Sequence, residues 1–258
     1  MPKRHLGQVF LYDPSILRRI IQVAQLSEED LIVEIGPGLG RLTKMLAERV
    51  KNVIAIELDE ELFEALKVQL AEYNNVKLIH GDALKYTYEN LPEFKVVANI
   101  PYYITTPLIF RLLDTRKNLK SMTLTIQKEV AERIVAASGG KDYGVLSVMV
   151  QYYAEPKLKF IIPKGAFRPV PKIDSALVHF KILEKPSVQV KDEEFFFRVV
   201  KMAFSQRRKM ISNALRGLRE DIKEKLAEAG IDSNRRPETL SIEEFAQLSD
   251  VLRSTQIQ

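Results

Sequence analysis

Short β-branched runs alternate with amphipathic stretches from residue 31 to residue 183, and this alternation constrains the fold more than any other feature. Seven runs are predicted strands: Leu31–Ile35, Val53–Glu57, Val76–His80, Lys95–Ala98, Met122–Ile126, Val145–Tyr153 and Ser175–Leu183. Five stretches are predicted helices: Pro14–Leu26, Leu39–Val50, Glu60–Glu72, Thr106–Leu113 and Lys128–Ala137. Strands separated by helices of this length indicate βαβ units and an α/β fold with a mostly parallel sheet covered on both faces. The last two strands lack a strong helix between them, and we expect them to form an antiparallel pair at the end of the sheet.

After Lys185-Pro186, the alternation of strand and helix patterns gives way to helical patterns alone. Asp192 is a good helix N-cap, and the apolar residues after it repeat at helical spacing. Further helices are predicted at 211–218, 220–229 and 242–252. The sequence therefore predicts two domains, an α/β domain at residues 1–185 and a small all-α domain at residues 186–258.

Composition limits the possible classes of protein. No apolar run approaches the roughly 20 residues needed to cross a bilayer, and the chain has no cysteine. Disulfides and thiolate metal sites are therefore excluded, and the reducing cytoplasm is the expected location. The three histidines show no metal-ligand spacing, so no metal site is predicted. The net charge of +5 is compatible with a nucleic-acid partner.

A glycine-rich turn follows the first predicted strand. It reads Glu34-Ile35-Gly36-Pro37-Gly38-Leu39-Gly40, and glycines at such a junction let the backbone approach a ligand closely. The dinucleotide fingerprint G-x-G-x-x-G fails here, because its third glycine would fall at Arg41. An acid at Glu34 suits a cationic ligand better than a pyrophosphate.

Three more polar residues follow the next three predicted strands. Glu57 is placed to accept hydrogen bonds from the two hydroxyls of a ribose, and Asp82 could accept a hydrogen bond from an adenine amino group. Asn99 opens the tetrapeptide Asn99-Ile100-Pro101-Tyr102. Each acid alone is equally well explained as a helix cap. Together, the four elements match the S-adenosylmethionine (SAM) sites of Rossmann-like methyltransferases with a seven-stranded sheet, and we predict a SAM-dependent methyltransferase.

The tetrapeptide suits the capture of a planar amine. The Asn99 amide can hold the amine, the Pro101 turn is rigid, and Tyr102 can stack on its ring; the exocyclic amine of a flipped nucleobase is such a target. Phe167 is the candidate for the second stacking face, with core packing as its alternative, and Tyr103 could be a core residue. The alternative for the whole element is an ordinary loop with an asparagine cap and a proline stop.

Basic residues form two clusters that could contact phosphates. The first is a strip with no acid: Lys157, Lys159, Lys164, Arg168 and Lys172. The second lies in the helical tail: Arg207, Arg208 and Lys209. For either cluster alone, a solvated face is the competing explanation.

The chain resembles the KsgA-type family of small-subunit ribosomal RNA adenine dimethyltransferases over nearly its whole length. The resemblance is carried by the elements above and by three further blocks, 127–133, 167–175 and 203–209. It implies dimethylation of N6 of two adjacent adenosines in the 3′-terminal hairpin of small-subunit rRNA, on a ribosomal subunit or its precursor, by a monomer. The residues expected to bind SAM are Gln8, Val9, Leu11, Glu34, Gly36, Gly38, Glu57, Leu58, Asp82, Ala83 and Asn99. Relatives usually carry a polar residue where this chain has Val9, which can serve if the contact is made by the main chain.

Other functions remain open at this stage. An antibiotic-resistance methyltransferase of large-subunit rRNA shares the tetrapeptide, although the blocks at 167–175 and 203–209 point away from it. A DNA adenine or protein glutamine methyltransferase would usually have proline at Ile100. A non-catalytic ribosome-assembly factor could keep the same fold.

Overall fold

The computed structural model describes residues 9–206 and 208–253. They form two compact units. The first comprises the described residues up to Ala131 together with Glu155–Glu184, and the second comprises Glu132–Ala154 together with the described residues from Lys185 onward. The sequence predicts the boundary between the two domains at residues 185 and 186. It also assigns residues 132–154 to the α/β domain, whereas these residues belong to the helical unit.

Nine strands are present among the described residues: β1 (Phe10–Leu11), β2 (Leu31–Ile35), β3 (Asn52–Glu57), β4 (Val76–His80), β5 (Phe94–Asn99), β6 (Leu119–Gln127), β7 (Ala154–Ile162), β8 (Phe167–Arg168) and β9 (Ser175–Ile182). Seven of them form one sheet in the order β4-β3-β2-β5-β6-β9-β7, while β1 and β8 pair separately. The pairs from β4 to β6 are parallel, and β9 runs antiparallel to β6. The predicted α/β fold is confirmed, with the parallel strands ending at one edge.

Ten α-helices accompany the strands in the described residues: α1 (Pro14–Ala24), α2 (Arg41–Ala47), α3 (Glu60–Gln69), α4 (Thr105–Asp114), α5 (Lys128–Val135), α6 (Val145–Tyr153), α7 (Glu193–Ser205), α8 (Ile211–Ala214), α9 (Ile222–Glu228) and α10 (Ile242–Arg253). None of these helices is long and apolar enough to cross a membrane.

The prediction of a strand at Val145–Tyr153 is wrong, because this segment is helix α6. Its side chains join the hydrophobic cluster of the helical unit. Apart from Ser147 and Gln151 the run is apolar, and a spacing of four fits one face of a helix as well as one face of a strand. A local cap starts the helix: the Gly144 N–H donates to the Ser147 hydroxyl at 3.0 Å. The seventh strand of the sheet is instead β7, whose residues alternate between exposed and sheltered.

Helix α1 packs against the sheet near the predicted site. The Asp13 carboxylate caps it by accepting the Ser15 N–H at 2.8 Å, and Pro14 occupies the first helical position. Its buried face shares one cluster with Val97 of β5 and Leu177 of β9. Burying each such aliphatic side chain contributes roughly 1.5–3 kcal/mol, so α1 is held firmly on this face.

The helical unit has its own core. The Asp192 carboxylate caps α7 by accepting the Phe195 N–H at 2.9 Å, as the sequence predicts. The apolar face of α7 contains Phe196, Val199 and Val200, all fully buried.

Candidate active site

Four neighbouring parallel strands bring the predicted site residues to one edge of the sheet. Glu34 and Glu57 stand at the carboxyl ends of β2 and β3, Asp82 follows β4, and Asn99 ends β5. The carboxyl ends of strands in an open α/β sheet form the crevice where ligands bind. The structure therefore brings all four together at the expected place.

Two adjoining cavities occupy this edge and share Gly36, Glu57 and Pro101 as walls. The first is also lined by Val9, Leu11, Glu34, Gly38 and Asn99. The second is also lined by Leu58, Asp82, Ala83 and Tyr103. An elongated ligand with two polar ends could occupy both cavities across Glu57.

The glycine turn is shaped by close contacts. Gly38 has φ +58°, and a Cβ atom at this position would lie 2.8 Å from the Phe10 ring. The Gly38 N–H donates to Glu57 Oε2 at 3.1 Å, while Glu57 Oε1 accepts the Asp59 N–H at 2.9 Å. Burial raises the pKa of Glu57, although these backbone hydrogen bonds oppose the shift. Gly38 therefore fixes both the turn and the carboxylate beside it.

Glu34 is a buried acid facing the first cavity, only 2% exposed. Neither its Oε2 atom nor the nearby Thr43 hydroxyl has a hydrogen-bond partner among the described residues. Burial raises the pKa of Glu34 to about 8, and the charge of Glu57 adds to the shift. A cationic ligand beside this carboxyl would supply the opposite charge that favours its ionised form.

Asn99 presents a free acceptor. Its Nδ2 atom donates to the Val9 carbonyl at 3.0 Å, and a carbonyl can only accept, so this bond fixes the orientation of the amide. The Oδ1 atom is buried and has no partner among the described residues. A buried amide oxygen without a partner is costly, and a ligand N–H is its natural complement.

Tyr102 and Tyr103 lie in the 3-10 turn Tyr102–Ile104. The half-buried Tyr102 ring is anchored by a 2.6 Å hydrogen bond between its hydroxyl and that of Ser175, and burial raises its pKa. Tyr103 is 52% exposed and lines the second cavity, so the expectation of a core residue is wrong. Tyr103 was missed as a site residue because nothing in a Tyr-Tyr pair shows which ring points outward.

The stacking role predicted for Phe167 does not fit its position. The ring is 0% exposed and belongs to the cluster that contains Leu11, its partner in the β1–β8 pair. A base cannot stack on a face that is fully enclosed. Core packing, the alternative that the sequence left open, explains Phe167.

The remaining predicted residues are dispersed. Gln8 and Arg207 lie outside the described residues. The basic strip is divided, because Lys157 and Lys159 line a separate cavity, whereas the other three members do not. The other three, Lys164, Arg168 and Lys172, are exposed. Arg208 and Lys209 in the helical unit are also exposed.

The chemistry of the two cavities matches SAM. This molecule carries a sulfonium and an ammonium charge, a ribose diol and an adenine amine. The unpartnered Glu34 suits the cationic part, and Glu57 with Asp82 suits the nucleoside. The fold and the site thus define a SAM-dependent methyltransferase.

Comparison with known proteins narrows the class. Residues 2–254 match the family described as "Ribosomal RNA adenine dimethylase". The chain is 49% identical to "Ribosomal RNA small subunit methyltransferase A" of Moorella thermoacetica, over 98% of this chain and 93% of that protein. The protein of the same name from Clostridium acetobutylicum is also 49% identical, over 96% and 92%. The chain belongs to the ribosomal RNA adenine dimethylase family.

Two solved structures support this assignment. A dimethyladenosine transferase from Plasmodium falciparum has a TM-score of 0.79 and 28% identity, covering 93% of this chain and 95% of that one. The 23S rRNA methyltransferase ErmE has a TM-score of 0.75 and 28% identity, covering 95% and 99%.

Proposed function

We propose that this enzyme dimethylates N6 of two adjacent adenosines in the 3′-terminal hairpin of small-subunit rRNA. Its substrate is the RNA within a small ribosomal subunit or a precursor, and the reaction accompanies subunit biogenesis in the cytoplasm. The names of the relatives from Moorella and Clostridium support the choice of subunit. The observation that carries the proposed chemistry is the free Oδ1 atom of Asn99.

The target nitrogen is a poor nucleophile, because its lone pair is delocalised into the adenine ring. Asn99 Oδ1 would accept one N6 hydrogen. A main-chain carbonyl in the Ile100-Pro101 turn would accept the other. The Pro101 carbonyl already accepts the Ile104 N–H at 3.1 Å, so the Ile100 carbonyl is the better candidate. Two acceptors would favour a pyramidal nitrogen whose lone pair points at the methyl group, which is a positioning effect.

When bound, SAM would supply a methyl group carried on a positively charged sulfur, which would be left as a neutral thioether. The methylated nitrogen then loses a proton to water, since an alkylated adenine amine is strongly acidic. No base in the chain is needed for that step. His80 contacts the Leu58 carbonyl and His179 contacts Thr123, so both of these histidines have structural partners.

Tyr102 would hold the flipped base by stacking on one face. Such stacking is worth roughly 1–3 kcal/mol per base, comparable to the few kcal/mol needed to unstack a nucleotide. Because Phe167 is enclosed, the second face must be covered by another group or by solvent. The second methyl transfer has only one N6 hydrogen left, so only one of the two acceptors remains in use.

The exposed basic residues near β8 and in the helical unit would grip phosphates around the hairpin. Lys164, Arg168 and Lys172 are the candidates in the first unit, with Arg208 and Lys209 in the second. We also infer that the enzyme acts as a monomer.

Primer extension on unmodified small subunits tests this proposal. After incubation with enzyme and SAM, we expect a stop at two adjacent adenosines of the 3′-terminal hairpin. Unmodified large subunits serve as the parallel substrate. Methyl transfer to large subunits alone would contradict the proposal and indicate a methyltransferase of the antibiotic-resistance type. Methyl transfer to neither subunit would indicate a non-catalytic assembly factor.

A further inference from the structure

A separate polar cavity lies at the edge of the sheet where β5 and β6 begin, opposite the edge that carries the site. Its volume is about 330 Å³. Five of its lining residues are lysines: Lys95, Lys120, Lys157, Lys159 and Lys181. We call it the amino-edge cavity.

The strand register explains why these side chains converge. Ser121 of β6 is paired with Lys95 of β5 on one side and with Lys181 of β9 on the other, so all three point to the same face of the sheet. This is also the face of Asn99, four residues beyond Lys95 on β5, or about 13 Å at the usual rise per residue. Helix α1 ends at Ala24, which forms one wall of the cavity, and this half of the face stays open.

The charges of the cavity are only partly neutralised. Lys95 pairs with Asp30 at 2.7 Å, Lys120 with Glu93 at 2.5 Å, and Lys157 with Glu155 at 2.7 Å. Lys159 and Lys181 form no ion pair with any other residue that the structure describes. Five ammonium groups thus face three carboxylates, and the cavity keeps a net positive charge.

His179 also lines the cavity, and the charges of the lysines affect its pKa. Burial lowers the pKa of this imidazole, and the charges of Lys159, Lys95 and Lys157 lower it further. Its Nδ1 atom lies 2.9 Å from the Thr123 hydroxyl. His179 and Ser121 therefore add neutral polar groups among the lysines.

We propose that the amino-edge cavity binds the sugar-phosphate backbone of the RNA substrate at a second position, apart from the target nucleotide. The proposal rests on the function proposed above. Lysine ammonium groups bind phosphate as point charges, and the cavity lining that the structure describes contains no Phe, Tyr or Trp ring on which a base could stack. Recognition here would be independent of sequence and would add affinity and orientation.

A plainer explanation exists for two of the lysines. Strand β7 is the last strand of the sheet, and exposed lysines on an edge strand prevent pairing with other chains. That explanation covers Lys157 and Lys159 but not Lys181 or Lys95, which lie on the interior strands β9 and β5.

Neutralising the two unpaired lysines tests the proposal. Lys159→Gln and Lys181→Gln are made singly and together in the full chain, and binding to unmodified small subunits is measured over a range of salt concentrations. Lys77→Gln is the matched control, because Lys77 is exposed on β4, the other edge strand of the same sheet. SAM affinity and thermal unfolding show whether each variant is intact.

We expect each cavity substitution to weaken subunit binding several-fold and to reduce the slope of log K against log salt by roughly 1. SAM affinity and kcat should stay unchanged, with the loss appearing in KM. Lys77→Gln should behave as the wild type. Wild-type binding and slope in the double variant would overturn the proposal, as would an equal loss in Lys77→Gln. Weaker binding with an unchanged salt slope, or aggregation with normal binding by the remaining monomer, would also overturn it.

The methyl-transfer assay separates this inference from the proposed function. If the wild type methylates small subunits while the cavity variants bind them normally, only the inference fails. If the wild type methylates no small-subunit RNA, the proposed function itself fails.

Discussion

The side-chain amide of Asn99 donates a hydrogen bond to the main-chain carbonyl of Val9, 3.0 Å away and 90 positions earlier in the chain. This bond ties the segment before β1 to the end of β5. It uses one N–H of the amide and fixes which way the amide points, so the oxygen is left for a ligand. The position of Val9 thus helps to orient the residue on which the proposed chemistry depends.

Changing the side chain of Val9 should have little effect, because the contact to Asn99 is made by its carbonyl. We expect Val9→Asn and Val9→Ala to bind SAM and to turn over close to the wild-type rate, as measured by calorimetry and by transfer of labelled methyl groups. A large loss in Val9→Ala alone would mean that the side chain itself contributes to the site.

Tyr102 should act through its ring more than through its hydroxyl. Tyr102→Phe keeps the ring and loses the hydrogen bond to Ser175, so kcat/KM should fall only modestly. Tyr102→Leu removes the stacking face and should cost roughly 1–3 kcal/mol in kcat/KM. Ser175→Ala is the control for the hydrogen bond and should match Tyr102→Phe. Equal activity of the Phe and Leu variants would remove the stacking role.

Phe167 should matter for stability and not for base binding. Phe167→Ala empties a fully buried position and should lower the free energy of unfolding by about 3–5 kcal/mol. Phe167→Leu keeps most of the packing and should retain kcat/KM, in contrast to Tyr102→Leu. A stacking-sized loss of kcat/KM in a stably folded Phe167→Leu enzyme would restore the role predicted from sequence.

Glu34 should make stability fall as pH rises. Its pKa is raised from 4.5 to about 8 by burial, so between these pH values the unfolded chain releases a proton that the folded protein retains. The folded state therefore loses up to about 1.4 kcal/mol per pH unit in this window, relative to a variant without the group. Urea unfolding of the wild type and of Glu34→Gln at pH 5 to 8 measures the difference. Parallel stability profiles would show that Glu34 ionises normally.

Most of the fold could be predicted because its signals are local. Six predicted strands and the helices between them are found close to their expected bounds, since the β-branched runs are buried on both faces of the sheet and helical spacing buries one face of a helix. Helix α6 was not predicted, because Val145–Tyr153 is apolar apart from Ser147 and Gln151 and its burial is decided by distant helices such as α7. Strand β7 was not predicted because its lysines are also typical of an exposed basic strip, although its alternation has a period of two.

The candidate site was predictable to the extent that it follows strand ends. Glu34, Glu57 and Asn99 could be placed because parallel strands deliver their last residues to one edge. The burial of Phe167 and the exposure of Tyr103 could not be predicted, since both depend on tertiary packing around loops. Only the three-dimensional structure separates Lys157 and Lys159 from Lys164, although all three are close in sequence.

The most direct measurement of the central claim is methyl transfer by Asn99→Ala to unmodified small subunits, with SAM affinity measured on the same preparation. Without the free amide oxygen, the adenine amine loses one of its two acceptors and the nitrogen is no longer held in position, so we expect no dimethyladenosine from the variant while SAM binding is weakened but measurable. The wild type should yield two adjacent dimethylated adenosines. Dimethylation retained in Asn99→Ala would contradict the account.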